Sequence, residues 1–247
     1  MKIIEGTYTQ AKVFTDVIED SACEQIKLLC SQPLAKDAQV RIMPDVHSGK
    51  GCVIGFTANL GDTVIPNIVG VDIGCGMLTV ELGKINIEPM RLDKIIREYV
   101  PSGMKVHEGR QVRFPELQEL NCYRELKDTR RLERSIGTLG GGNHFIEVDE
   151  DDSGNKYLVI HTGSRNLGTQ VARIYQSLAV DLLSGKDKYF EARENLIAEY
   201  KAAGRRNEIA DELKKMKNEF EQKTPPVPVD LCYLTGKYRE RYLRDMG

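Results

Sequence analysis

An acid and a thiol three residues apart sit among glycines in the apolar run Val69-Gly70-Val71-Asp72-Ile73-Gly74-Cys75-Gly76-Met77. Glycine lets the backbone turn tightly and lets a ligand come close. A thiolate beside a carboxylate is electrostatically unfavourable unless a cation lies between them, so this pair reads as metal-binding. A turn with a capping Asp72 and a core Cys75 is the ordinary alternative, and the segment by itself does not decide between them. Three other stretches carry residues of the same kind. Gly140-Gly141-Gly142-Asn143-His144-Phe145-Ile146-Glu147 reads as a backbone cradle for an anion with polar side chains directed into it, or else as a surface turn. His161-Thr162-Gly163-Ser164-Arg165-Asn166 ends a strand and opens a helix, where free N–H groups and the Arg165 guanidinium would suit phosphate. Met43-Pro44-Asp45-Val46-His47-Ser48-Gly49-Lys50-Gly51 could direct Asp45 and His47 at a shared pocket, but it lacks the spacing of a P-loop.

The chain has four histidines, and three of them (His47, His144, His161) lie in these glycine-studded segments, while His107 sits in a charged loop. Asp72, Cys75 and two imidazoles make a mixed O/S/N donor set. Such a set fits Mn2+, Zn2+, Co2+ or Fe2+ better than Mg2+ or Ca2+, which prefer all-oxygen shells.

The elements that must position these residues can be read from patterning. Ser21-Ala22-Cys23-Glu24 has the form of a capping box ahead of Ile26 and Leu29, with Pro33 ending the helix. Val40–Met43 reads as a strand, Cys52–Leu60 and Thr63–Ile73 as β-rich, and Met77–Leu82 as an alternating strand. Leu92, Ile95, Ile96 and Tyr99 mark a helix closed by Pro101. Residues 115–134 read as one charged helical stretch with Leu117, Leu120, Tyr123 and Leu126 on a face. His144–Val148 and Tyr157–His161 read as strands around an acidic turn, and Val171, Ile174, Tyr175, Leu178 and Leu182 continue as a helix. Tyr189–Gln222 is rich in Glu, Lys and Ala and reads as helical until Pro225, Pro226 and Pro228; a last helix starts near Leu234. The fold class expected is α+β, a β-sheet core with surrounding helices and the metal site at strand ends. One domain over 1–247 is expected, with a charged helical excursion at about 185–224.

Composition is that of a globular protein, and the net charge of −2 advertises no global field for nucleic acid, so an RNA enzyme would need a local basic groove. Six cysteines without a dense framework read as core thiols or metal ligands. The start MKIIEGTYTQ lacks a basic region followed by an apolar run, and no stretch approaches membrane-spanning length. The expected location is the cytoplasm.

The stretches MPDVHSGKG, VGVDIGCGM, GTLGGGNHFIEV and HTGSRNLG follow one another in the order and character of the RtcB family of tRNA-splicing and RNA-repair ligases, which the chain resembles from about Lys12 onward. The resemblance implies an enzyme that uses GTP and Mn2+ to join an RNA 3′-phosphate or 2′,3′-cyclic phosphate end to a 5′-hydroxyl end through a histidine–GMP intermediate. It implies that Cys75 bridges two manganese ions, that Asp72 and His144 complete one of them, and that His161 binds the other. It also implies that Asn143 contacts the guanylate phosphate and that Arg165 holds phosphate or RNA. Asp45 would be a catalytic acid near the reacting nucleotide, with Glu147, His47 and Lys50 in supporting roles. In the family the guanylylated histidine belongs to a His-Gly-Ala-Gly-Arg-like segment. This sequence has no such segment and no histidine after His161. The segment Tyr242–Met246 resembles a mid-family one. The expectation is therefore an N-terminal part of the fold, with the C-terminal part missing and little activity alone, completed by a C-terminal complementing chain or assisted by archease. Two other readings stand beside it: a non-catalytic metal- or RNA-binding remnant, and a two-metal cyclic phosphoesterase.

Overall fold

The structure, a computed structural model, describes residues 1–219 and 223–247. In chain order its first elements are β1 (Lys2–Glu5), β2 (Gln10–Val13), α1 (Asp20–Cys30), β3 (Val40–His47), β4 (Ile54–Thr57) and α2 (Pro66–Val69). Next come β5 (Gly76–Gly83), α3 (Pro89–Tyr99), α4 (Thr129–Ser135), β6 (Phe145–Glu150) and β7 (Lys156–Thr162). The last are α5 (Asn166–Asp181), α6 (Asp187–Ala202), α7 (Ile209–Glu219) and α8 (Gly236–Met246). The fold is α+β, as the patterning indicates. Contacts divide the chain into two compact units, Met1–Ile68 with Tyr175–Arg239, and Val69–Ile174 with Glu240–Gly247. The sequence reading drew no boundary at these points.

The first unit is built on a four-stranded sheet of order β1-β2-β3-β4. β2 and β3 pair in parallel because α1 occupies their connection, and the other pairs are antiparallel. α1 buries Ala22, Ile26, Leu29 and Cys30, the i, i+4, i+7, i+8 face, against Val13, Val40 and Ile42 of the strands. Each such Ile or Leu contributes about 1.5–3 kcal/mol by leaving water. The capping box does not form. Glu19 is the N-cap and makes no side-chain cap bond, while the Ser21 hydroxyl reaches the Ser48 hydroxyl at 2.7 Å. Gln25, one turn on, donates to Gly49 O at 2.8 Å and accepts from Gly49 N–H at 3.1 Å. A tertiary use of Ser21 has displaced the local one.

β3 runs through Pro44 to His47, further than the strand foreseen, with a register irregularity between Ile42 and His47 where proline cannot donate. Thr63–Ile73, read as β-rich, contains one isolated bridge, Val64 with Leu234, followed by the helical turn α2. Pro66 opens that turn, since its fixed φ suits a helix start. The long helix expected over Tyr189–Gln222 is two helices. Gly204, at φ +70, breaks it between α6 and α7, and residues 220–222 lie outside the described residues.

The second unit centres on a three-stranded antiparallel sheet of order β5-β7-β6. The β6–β7 hairpin turns at Asp151, whose carboxylate accepts from the Ser153 and Asn155 N–H groups at 2.9 and 2.8 Å. The single helix expected over 115–134 is instead three short pieces, two 3-10 turns (Pro115–Glu119, Tyr123–Glu125) and α4. Two acids break it. Asp245 takes the Asn121 and Cys122 N–H groups at 2.8 and 3.0 Å, and Asp128, at φ +50, caps α4 by accepting from Arg131 N–H. Leu117, Leu126 and Leu132 from these pieces are buried. Among the described residues no helix is long and apolar enough to cross a membrane.

Candidate metal centre

Strand order decides where the donors meet. β7 is central, and its antiparallel neighbours both begin beside its end: Met77 and Phe145 are each paired with His161. Cys75 immediately precedes β5 and His144 immediately precedes β6, so both arrive at the end of the sheet that carries His161. The Asp72–Cys75 turn, closed by Cys75 N–H to Asp72 O at 3.0 Å, adds the carboxylate.

The ligand atoms of Asp72, Cys75 and His144 lie within 4.8 Å of one another. Cys75 Sγ is 2.9 Å from His161 Nε2, and the two imidazole rings are 5.6 Å apart. The His144 side chain is fully buried, and its Nδ1 lies 2.8 Å from Leu139 O. A carbonyl only accepts, so Nδ1 carries the proton and Nε2 is the nitrogen turned to Asp72 Oδ2 at 3.0 Å. Burial works to raise the Asp72 carboxyl, but its polar contacts with His144, the Arg165 N–H and the Arg165 charge outweigh it and hold the acid below its ordinary range. The Cys75 thiol moves the opposite way, pushed up by burial and by the adjacent Asp72. An added cation would relieve that conflict by favouring both anions, so the donor set fits a divalent metal with O, N and S ligands.

Glycines let the pieces approach. A Cβ on Gly163 would stand 2.7 Å from Asp72 Oδ1 and 2.9 Å from Cys75 Cα. A Cβ on Gly168 would meet Val71 O at 2.7 Å. A Cβ on Gly142, at φ +80, would collide with the Arg165 guanidinium. Arg165 itself is left-handed (φ +36), and its Nη2 donates to Asn143 Oδ1 at 2.8 Å. The N–H groups thought free for phosphate at the start of α5 are partly taken. Arg165 N–H donates to Asp72 Oδ1 at 2.9 Å and Ser164 N–H to Ile73 O at 3.3 Å, so an internal carboxylate fills part of the anion position.

Glu147 stands exposed on β6, three residues beyond His144. Asp45, His47 and Lys50 belong to the first unit, where His47 Nδ1 lies 2.9 Å from Asp45 O and Gly55 passes close to the Asp45 carboxylate. Beside the cluster the structure adds cations that the sequence did not mark. A cavity of about 200 Å3 is lined by Lys105, Arg131 and Arg165 together with Gly140 and Gly163. Lys105 and Arg131 were each one cation among many in a charged stretch, with no spacing to distinguish them, whereas Arg165 was marked by its place between strand and helix.

The family model described as "tRNA-splicing ligase RtcB" matches residues 25–126 and 119–218. The chain belongs to the RtcB family. The RNA-splicing ligase RtcB of Escherichia coli (strain K12) is 33% identical over 163 residues, 57% of this chain and 40% of that protein. The tRNA-splicing ligase RtcB of Archaeoglobus fulgidus is 30% identical over 226 residues, covering 69% and 46%. That of Methanococcus maripaludis is 26% identical over 228 residues, covering 71% and 47%. This RtcB chain thus spans about half the length of the curated relatives it matches.

Proposed function

We propose that this chain carries the metal platform of a GTP- and Mn2+-dependent RNA ligase that joins 3′-phosphate or 2′,3′-cyclic phosphate ends to 5′-hydroxyl ends in the cytoplasm. The reading rests on one observation in a chain of this family: four donors from three separate segments converge at one end of a sheet. Asp72, Cys75 and His144 would hold one ion, and Cys75 with His161 a second. Bound there, two divalent cations would polarise phosphoryl oxygens and offset the charge that develops during phosphoryl transfer.

The chain's own groups do the orienting. Leu139 O fixes the tautomer of His144, and the Asp72 carboxylate is held in place by Arg165 N–H. Arg165 Nη2, seated on Gly142, ties Asn143 beside the cluster, where a guanylate phosphate would be received. The cationic cavity next door suits an RNA phosphate. Asp45, His47, Lys50 and Glu147 are proposed as supporting groups, Asp45 as an acid near the reacting nucleotide. The proposed partners are a complementing C-terminal chain, which would supply the guanylylated histidine, and archease.

Metal titration tests the platform. Cys75→Ser is expected to weaken Mn2+ binding at least about ten-fold, whereas Cys23→Ser and Cys122→Ser leave it unchanged. Equal losses in all three would remove the bridging role. Mixing the chain with the C-terminal half of a relative and labelled GTP is expected to give a protein–GMP adduct. Metal binding without any adduct would favour the non-catalytic reading.

A further inference from the structure

A second cavity lies beside the metal cluster. It encloses about 250 Å3 and reaches Gly74 and Gly163, the neighbours of Cys75 and of the Asp72 carboxylate. Phe114, Leu117, Leu132 and Leu167 give it apolar walls, Leu117 and Leu132 being buried, and Ser135, Thr138, Thr162 and Ser164 add hydroxyls. Phe114 is different. Its ring remains 40% exposed, although the chain has only six phenylalanines and no tryptophan. The cavity shares Leu132, Thr138, Gly163 and Ser164 with the cationic cavity of Lys105, Arg131 and Arg165. A slot for a flat apolar ring and a slot for an anion therefore share a wall, and that wall includes Gly163, which abuts Asp72 and Cys75. That pairing has the chemistry of a nucleotide, whose base stacks on an aromatic face while its phosphate is met by cations.

The slot also has polar groups that a base could use. Thr138 donates its hydroxyl proton to Ser135 O at 2.7 Å, and Thr162 donates its own to Leu139 O at 3.2 Å. What these hydroxyls can offer a ligand is lone pairs, which accept from an amino or ring N–H of a base.

We propose that the Phe114 cavity is a nucleobase subsite that holds the base of the nucleotide whose phosphate reaches the metal cluster. This rests on the reading of the cluster as the place where an RNA end reacts. Phe114 is a binding residue for the terminal nucleoside, and it fixes where that end sits before any bond changes.

The test uses the full chain with Mn2+ and two short oligoribonucleotides, one ending in adenosine 3′-phosphate and one abasic at that last position. The wild type is expected to bind the adenosine form about ten-fold tighter, in keeping with one base stacked on an aromatic ring. Phe114→Ala should bring that ratio close to one, and Phe114→Tyr should keep it. Phe114→Trp supplies the chain's sole indole, and its fluorescence should be quenched by the adenosine form and not by the abasic one. A ratio of one in the wild type, a ratio that survives Phe114→Ala, or equal quenching by both oligonucleotides overturns the proposal. Failure of the metal reading shows elsewhere, as Mn2+ affinity unmoved by Cys75→Ser in the absence of RNA.

Discussion

Asp72 serves two masters at the level of single atoms: Oδ1 caps Arg165 N–H and Oδ2 faces His144. Asp72→Asn keeps the shape and removes the charge, so at neutral pH it should lower stability by about 1.5–3 kcal/mol, the value of one hydrogen bond to a charged group. Because the folded carboxyl lies below its ordinary range, the wild type's advantage is complete above the unfolded-state value and fades as pH falls through the folded one. Urea unfolding of both proteins across that acid range should therefore show the two curves converging downward in pH. A gap that widens in acid would mean that Asp72 is not the group being held. The Asp72–Cys75 pair and the two imidazoles were legible in the sequence because acid, thiol and histidine among glycines are rare neighbours. Leu139 was not, since its contribution is a backbone carbonyl, which any residue type would supply. Gly163 and Gly168 were visible as glycines, but the atoms they make room for belong to a segment some ninety residues earlier, as the contact between Ser164 Oγ and Ile73 O shows.

The same contrast holds for elements. Strands β5, β6 and β7 were readable from their own residues, the first by the alternation of Met77–Leu82 and the other two around their acidic turn, as was α3 from its helical period. Residues 115–134 misled because the group that interrupts them, Asp245, is 124 positions away from Asn121. The capping box at Ser21 failed in the same way, with its partner at Ser48. Long-range partners leave no mark in a local window. Gln176 on α5 is a further case. Its Oε1 accepts from Asn67 N–H at 3.1 Å, at the start of α2, and its Nε2 donates to Val229 O at 2.9 Å. Nε2 also reaches Cys232 O at 3.3 Å, so this buried amide serves one donor and two carbonyls, and Gln176→Leu should cost about 2–5 kcal/mol. Hydrogen exchange should then show faster opening at Asn67 first. Unchanged protection there would show that the amide bridge contributes little to holding the turn.

At the scale of the whole molecule, β5 is an edge strand with apolar side chains in water: Met77 is 64% and Leu78 59% exposed, and Val80 is exposed too. An open edge of this kind invites pairing with another chain. Leu78→Lys with Val80→Lys should reduce binding of an apolar fluorescent dye and lower the sedimentation-derived mass at high concentration, without changing helix content. Dye binding that does not respond would place the sticky surface elsewhere. The strand-end location of the donors has one more consequence. His161 lies five residues along β7 from Lys156, a reach of about 16 Å at the usual strand rise, so the tip of the hairpin is mechanically remote from the cluster. Extra residues at Ser153 or Gly154 would loop out harmlessly, whereas one residue gained between Lys156 and His161 would swing the imidazole to the other side of the sheet. Tolerance of changed length in this hairpin is therefore sharply lopsided, lenient at the tip and strict along the ruler that leads to the metal.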